Sequence, residues 1–399
     1  MGWCTTFDLD RFAAAAGGYL RSRAAENTLL LSAVQAARAA HSAGPAGPAQ
    51  AMAPEPGGGW LFGWWQPEAG GEPRGVFLHD PAAPLLISGL VPELAASLAA
   101  TLAKMGRPVL GVDAPTGAAD AFAAAWSQRA GTGVRMHRHC HVYRLVGPGV
   151  ATGTGPDAGP GASPPAGRGL PGAGTWPPPQ LPAPPGRLRV AAAGDQPLLA
   201  DWLAAFANET AERIGPAGDL AAELISYGGA VFWETPQRAG RPWDAAHFLP
   251  GARHRDASNG DASNGDASHE NAAQAREPAA QPVALATLTR PVAGTVRISM
   301  LYTPPERRHG GYATALTLAV SRAVLSGPAS GGGGAHEIVM ITDRNRPNQW
   351  ATRLGYQLVS ERAVLRFGPV TGPVPRVHRT GPMPRLPTGP LPRLPRLRG

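Results

Sequence analysis

The chain has 399 residues, of which 52 are Gly and 44 Pro, so about a quarter of it is poorly suited to regular structure. A formal net charge of +8 and only two cysteines, Cys4 and Cys140, exclude a disulfide-stapled scaffold and fit a reducing, cytoplasmic compartment. No apolar run approaches the ~18 residues needed to cross a bilayer, which excludes a helical membrane protein.

From the N-terminus, hydrophobic periodicity predicts amphipathic helices over Phe7–Arg23 and Asn27–Ala40, then strands over Trp60–Gln66 and Gly75–His79. A helix over Val91–Met105, a strand over Val109–Val112, a helix over Ala118–Gln128 and a closing strand over Val134–Leu145 complete a first unit, residues 1–146. Residues 151–186 are a Gly/Pro-rich linker without periodicity. The second unit, 187–368, is predicted to hold helices over Gln196–Ile214 and Gly218–Tyr227 and a strand over Ala230–Glu234. A polar insertion, 236–282, follows and carries the repeat Asp256-Ala-Ser-Asn-Gly260, Asp261-Ala-Ser-Asn-Gly265. It lacks EF-hand ligand spacing and a closing Glu, so it reads as a loop and not as a calcium site. Strands then return over Val283–Thr289 and Thr295–Thr303. A helix over Ala313–Leu325, a strand over Glu337–Thr342, a short helix over Asn348–Leu354 and a last strand over Ala363–Phe367 end the unit. Shorter Gly/Pro stretches lie at 41–58 and 327–335.

The basic charge is concentrated in the tail, 369–399. Arg376, Arg379, Arg385, Arg393, Arg396 and Arg398 fall in the last 24 residues, which contain no acid. There Thr-Gly-Pro-x-Pro-Arg repeats from Thr371, Thr380 and Thr388, a Pro spacing that favours polyproline II and forbids a helix. The tail reads as a solvated segment, with docking to an acidic partner or nucleic acid as the alternative. The folded part is nearly neutral without it, so nucleic acid is not the expected partner. Lys104 is the one lysine among 36 basic residues, a bias of GC-rich, bacterial coding.

One motif carries chemistry. After the strand ending Leu301-Tyr302-Thr303 come Pro304-Pro305-Glu306-Arg307 and then Arg308-His309-Gly310-Gly311-Tyr312-Ala313, which fits Q/R-x-x-G-x-G/A at the start of a long apolar helix. A strand that turns through glycines into a helix presents backbone N–H groups at the positive end of the helix dipole, a cradle for a pyrophosphate. Gly310 and Gly311 let the backbone approach the anion. In so Arg- and Gly-rich a chain the pattern alone is weak, and its context strengthens it. The next strand, Glu337–Thr342, is followed by Asp343-Arg-Asn345-Arg-Pro-Asn348 and by Leu354-Gly355-Tyr356.

This order resembles the GNAT superfamily of acetyl-CoA-dependent N-acetyltransferases. Ile298–Tyr356 carries the resemblance and Arg187–Phe367 fits the whole fold. The resemblance implies an α/β (α+β) protein with a mixed, mostly antiparallel sheet flanked by helices. It also implies direct acetyl transfer from acetyl-CoA to a small-molecule or peptide amine, without a metal. Leu301, Tyr302 and Thr303 would pair with the pantetheine arm and stabilise the acyl oxygen. Arg308, His309, Gly310, Gly311, Tyr312, Ala313 and Thr314 would hold the pyrophosphate, and Asn345 would sit beside the pantetheine. Many members use a Tyr as acid four residues before the Gly of Leu-Gly-Tyr; here that position is Ala351. A thiolate, with a pKa of about 8.5, leaves without full protonation, so transfer stays feasible. Tyr302 and Tyr356 are candidate substitutes, each also readable as a core aromatic. For the general base the candidates are Glu209, Glu212 and Glu234; Trp202 and Phe206 are candidates to line the acceptor pocket. The rival reading is a non-catalytic acetyl-CoA-binding or interaction protein.

The first unit repeats strand, helix, strand, helix, strand from Gly75 to Leu145, but the loop Asp80–Pro84 lacks the phosphate motif. That implies a tandem arrangement whose degenerate first copy, 1–146, shapes the acceptor site, with an unrelated α/β domain as the alternative. His137, His139 and His141 share one face of a strand with Cys140 on the other. Neighbours of the three are ~7 Å apart along the strand, too wide for one zinc, so a polar strand face is the expectation.

Overall fold

The computed structural model describes residues 2–42, 59–68, 70–147, 181–212, 214–236, 280–326, 335–344 and 349–369. Most of the expected linkers, the repeat-bearing insertion, Asn345 and nearly all of the tail lie outside the described residues.

The first half runs β1 (Gly2–Thr6), α1 (Leu9–Ser22), α2 (Thr28–Ser42), β2 (Leu61–Gln66), β3 (Gly75–His79), β4 (Leu85–Ile87), α3 (Pro92–Lys104), β5 (Gly111–Pro115), α4 (Thr116–Ala130) and β6 (Gly133–Val146). The second half repeats that order: β7 (Arg187–Val190), α5 (Gln196–Thr210), α6 (Ala217–Ser226), β8 (Ala230–Pro236), β9 (Ala280–Leu288), β10 (Thr295–Tyr302), α7 (Tyr312–Ser326), β11 (Glu337–Asp343), α8 (Gln349–Arg353) and β12 (Gln357–Gly368). The expected helices all form. The short strands β1, β4 and β7 were not anticipated, and β12 starts six residues earlier than its sequence pattern indicated. A strand of three to five residues gives too few alternations for a period-2 signal.

All twelve strands form one sheet, in the order β1-β2-β3-β4-β5-β12-β6-β11-β10-β9-β8-β7. Only β4–β5 and β10–β11 pair in parallel among the described strands. The expected mixed, mostly antiparallel sheet with flanking helices is therefore the one observed. The closing strand of each half lies in the other half's territory. β12 separates β5 from β6, and β6 separates β12 from β11. The two closing strands pair from Gln357↔Arg144 to Gly368↔Gly133. Arg362 fixes the exchange: its Nη2 donates to Asp113 Oδ1 at 2.8 Å and to the Asp113 carbonyl at 3.0 Å, reaching across to β5.

Alternating residues of each strand feed cores on opposite faces, the period-2 logic of a sheet covered on both sides. In the first half Phe62, Trp64 and Leu78 pack on α1 and α2, while Leu61, Phe77 and Ile87 pack on α3 and α4. In the second half Phe232 and Leu285 pack on α5 and α6, while Val231, Ala284 and Met340 pack on α7. No helix among the described residues is long and apolar enough to cross a membrane.

Candidate active site

The parallel pair β10–β11 is hydrogen-bonded only at its beginning, from Thr295↔Glu337 to Ile298↔Met340. On the other edge of β10 the register against β9 shifts between Ile298 and Met300, so Ser299 is the extra residue of a bulge. Ile298 packs under α7, whereas Met300 and Tyr302 pack with α5 and α6; without the bulge all three would share a face. Beyond it β10 and β11 no longer pair with each other, and β11 stays in register with β6 down to Asp343↔Cys140. The opening between them is a cavity of about 830 Å³.

One end of the cavity is the glycine turn. Pro304 and Pro305 stop β10, because neither can donate to a ladder. A 3-10 turn over Pro305–Arg307 follows, closed by the Arg307 N–H on the Pro304 carbonyl at 2.8 Å. His309 and Gly311 take φ of 65° and 78° and bring the chain into α7; the first is uncommon for a residue with a Cβ. The Ala315 N–H bonds to the Gly311 carbonyl at 3.0 Å. The amides before it are the orphan donors of a helix N-terminus, aimed at the turn's concavity. A Cβ on Gly311 would have only Pro184 nearby, at 3.7 Å, whereas one on Gly310 would meet the Tyr312 ring at 2.6 Å. Gly311 therefore borders open space, and Gly310 serves the turn itself.

The walls carry polar groups without protein partners among the described residues. The hydroxyls of Thr303 and Thr342 are buried in them without a hydrogen-bond partner among the described residues. Such groups are rare in folded proteins unless something else satisfies them. Leu301, Tyr302 and Thr303 line the cavity, with Arg308, His309, Gly311, Tyr312, Ala313 and Thr314 but not Gly310.

The other end faces α5. Tyr302 packs edge-on against Trp202 at 5.9 Å. Burial first, and then the Glu209 carboxylate facing it, raise its phenol above the ordinary tyrosine value. Glu209 lines the cavity and is held by Arg308, whose Nη2 donates to Glu209 Oε2 at 2.6 Å and whose Nε donates to the Thr303 carbonyl at 3.0 Å. Glu212 also lines the cavity, paired with Arg138 Nη1 at 2.7 Å. Phe206 lines it too, but Trp202 instead sits edge-on between Tyr302 and Phe232, packed against the α5–α6 core.

Three candidates are placed elsewhere. Tyr356 is buried in the α7 core, where its hydroxyl and Ser321 Oγ lie 2.8 Å apart and burial drives its pKa upward, so it cannot reach the cavity. Glu234 is buried against Arg189 and Arg187 on the far side of β8. The loop Asp80–Pro84 is a hairpin turn that leads into β4, with Asp80 Oδ1 accepting the Ala82 N–H at 2.9 Å. The first half's counterpart of the phosphate loop is instead Ser88–Val91, between β4 and α3.

Sequence reasoning missed Arg138, Cys140, Asp343 and Trp350, all of which line the cavity. Arg138 and Cys140 belong to β6 and arrive only because of the strand exchange. Burial pushes the Cys140 thiol up to about 12, so it stays protonated at neutral pH. Trp350 Nε1 donates to Thr314 Oγ1 at 2.9 Å, tying α8 to the start of α7. Ala351 is buried in the wall beside it, so the position for which the sequence resemblance implies an acid is at the cavity but supplies no proton. On the opposite face of β6, His139 and His141 both meet Glu361 of β12, at 3.1 and 3.4 Å, while Arg344 approaches His139 Nδ1 at 3.0 Å.

No family model matches the chain, and no curated protein matches it. Solved structures are similar to it. A Drosophila protein solved as a structural genomics target is 12% identical, with 92% of this chain and 99% of that one covered and a TM-score of 0.49. A GCN5-related N-acetyltransferase from Sphaerobacter thermophilus is 13% identical, covering 77% and 79% with a TM-score of 0.41. A tandem GNAT protein from the clavulanic acid biosynthesis pathway is 14% identical, covering 78% and 82% with a TM-score of 0.36. These overlays are loose, so the functional reading rests on the residues of this chain.

Proposed function

We propose that this protein is an acetyltransferase that moves the acetyl group of acetyl-CoA to an amine. The observation that carries the proposal is the parting of two parallel strands around a cavity that ends at a glycine-turned helix N-terminus, with the hydroxyls of Thr303 and Thr342 unpartnered in its walls. Arg308–Thr314 would hold the pyrophosphate, the backbone of Leu301–Thr303 and the Thr342 hydroxyl would hold the pantetheine arm, and Asn345 remains a candidate beside it. Acetyl-CoA supplies an activated acyl carbonyl. A backbone N–H on 301–303 stabilises charge developing on the acyl oxygen. Glu209 takes the proton of the attacking amine. Tyr302, a phenol that is protonated at neutral pH, lines the same space and can return a proton to the departing sulfur. The first half acts through β6, which brings Arg138 and Cys140 to the acceptor wall, and not through a cosubstrate site of its own.

The test is release of free thiol from acetyl-CoA with a panel of small amines and peptides. Turnover with at least one amine is expected, and Tyr302→Phe should lower kcat by about 10² while keeping its thermal melt. Binding of acetyl-CoA without turnover on any amine would favour the non-catalytic binding protein that Ala351 suggests. Absence of binding would overturn both.

A further inference from the structure

Arg308 is asked to be in two places. As the first residue of the glycine turn it is expected to meet a pyrophosphate, yet here it spans the cavity mouth to the Thr303 carbonyl and the Glu209 carboxylate. In that position it occupies the carbonyl of the strand that would receive the pantetheine, and it neutralises the carboxylate that would receive the acceptor's proton. We propose that Arg308 is a latch coupling the two ligand sites: a phosphate-bearing cosubstrate draws its guanidinium into the turn, which frees the Glu209 carboxylate for the amine. The inference rests on the acetyl-CoA reading of the cavity.

Three observations make the exchange feasible. The Arg308 and Glu209 side chains are 40% and 39% exposed, and an ion pair that accessible to water holds weakly. A pyrophosphate offers the guanidinium a doubly charged, bidentate partner beside the orphan amides of α7, a stronger interaction than one exposed carboxylate. The turn that carries Arg308 already uses a left-handed His309 and Gly311, so its side chain leaves from a segment bent toward the helix N-terminus. Arg138, another guanidinium lining the cavity, is engaged with Glu212 just beyond the end of α5. No bond is made or broken in the step; a cation changes partner. The acceptor site becomes competent only after the cosubstrate is bound, and Arg308 acts as a positioning residue.

A double-mutant cycle on the full chain, read by calorimetric titration with acetyl-CoA and separately with pyrophosphate, tests this. Glu209→Gln removes the competitor and should tighten acetyl-CoA about three- to tenfold, whereas in an Arg308→Ala background the same change should leave the affinity alone. Tightening of equal size in both backgrounds would mean that Glu209 merely repels phosphate, and the latch would be wrong. Unchanged affinity in both would overturn it as well. If the unmodified protein binds neither probe, the cosubstrate reading itself fails and the latch with it. Binding of acetyl-CoA without the background dependence removes the latch alone.

Discussion

The two halves run through the same ten elements in the same order, and the cavity of about 830 Å³ opens at the parallel strand pair of the second. In the first half β4 is three residues long and pairs with β5 at Leu85↔Val112 and Leu86↔Asp113. Four residues, 88–91, lead from it to α3, against nine, 303–311, between β10 and α7. The short loop turns back on the sheet. The Val76 N–H donates to Ser88 Oγ at 3.0 Å, and Pro92 in the first turn of α3 removes one of the N–H groups an anion would use. Where the second half has a bulge, an opening and a glycine turn, the first has a closed pair, with Asp113 of β5 held by Arg362 of β12. The shared architecture thus supplies a place where a site can form, and strand length, one bulged residue and five extra loop residues decide whether it does.

The exchange of closing strands implies that neither half is a separate folding unit. Residues 1–147 expressed alone should show no cooperative urea transition, because β6 pairs with β12 and β11 and not with β5, and because Ala363 and Leu365 of β12 complete the α3–α4 core. A sigmoidal unfolding curve from that fragment would mean that the exchange is dispensable. Two ion pairs that each join the halves, one buried at β5 of the first half and one beside the cavity of the second, should differ next. Asp113→Ala strands the nearly inaccessible Arg362 guanidinium, with a 2% exposed side chain, and should cost about 3–5 kcal/mol. Glu212→Ala, which breaks the half-exposed pair with Arg138, should cost only about 0–1 kcal/mol in the same denaturation experiment. Equal losses would contradict the view that the first half is locked and the second open.

The first half should also be the more acid-sensitive. His79 is fully buried beside Arg107, and burial first and then that guanidinium lower its pKa from 6.5 to about 4. A depressed folded-state pKa means that the unfolded chain binds the proton more readily, so this stability is complete above pH 6.5 and is lost as pH falls through about 4. The loss should reach about 3 kcal/mol over that window, and His79→Gln should flatten the slope. A pH profile that His79→Gln leaves unchanged would assign the acid sensitivity to other groups.

Much of this was legible in the sequence, and the failures share a cause. Apolar periodicity located the longer helices among the described residues, and the glycine turn with the strand before it pointed to one end of the cavity. Glu209 and Tyr302 were recognisable because they sit on long, periodic elements. Arg138 and Cys140 were not, since nothing local to β6 says that it will cross to the partner half. Exchange is set by which strand finds which edge, and it leaves no mark on hydrophobic alternation. For Tyr356 the core alternative is the one observed, since Leu-Gly-Tyr reads alike whether the ring faces the core or the cavity. The Asp80–Pro84 loop was taken for the phosphate loop's counterpart because three-residue β4 is too short to announce itself. Arg308 was legible as a phosphate ligand, but its hold on Glu209 depends on α5, 99 residues away in sequence.

The central claim is that the second half, and not the first, holds the cosubstrate, and calorimetric titration of the full chain with acetyl-CoA tests it most directly when run beside two variants. Gly311, at φ 78° and bordering open space, is replaced by Glu; so is Gly89, in the short loop of the first half, where an added Cβ meets nothing within 4 Å. One site per chain is expected, lost in Gly311→Glu and retained in Gly89→Glu, with both variants melting cooperatively. Two sites per chain, or binding that survives Gly311→Glu and disappears with Gly89→Glu, would contradict the account.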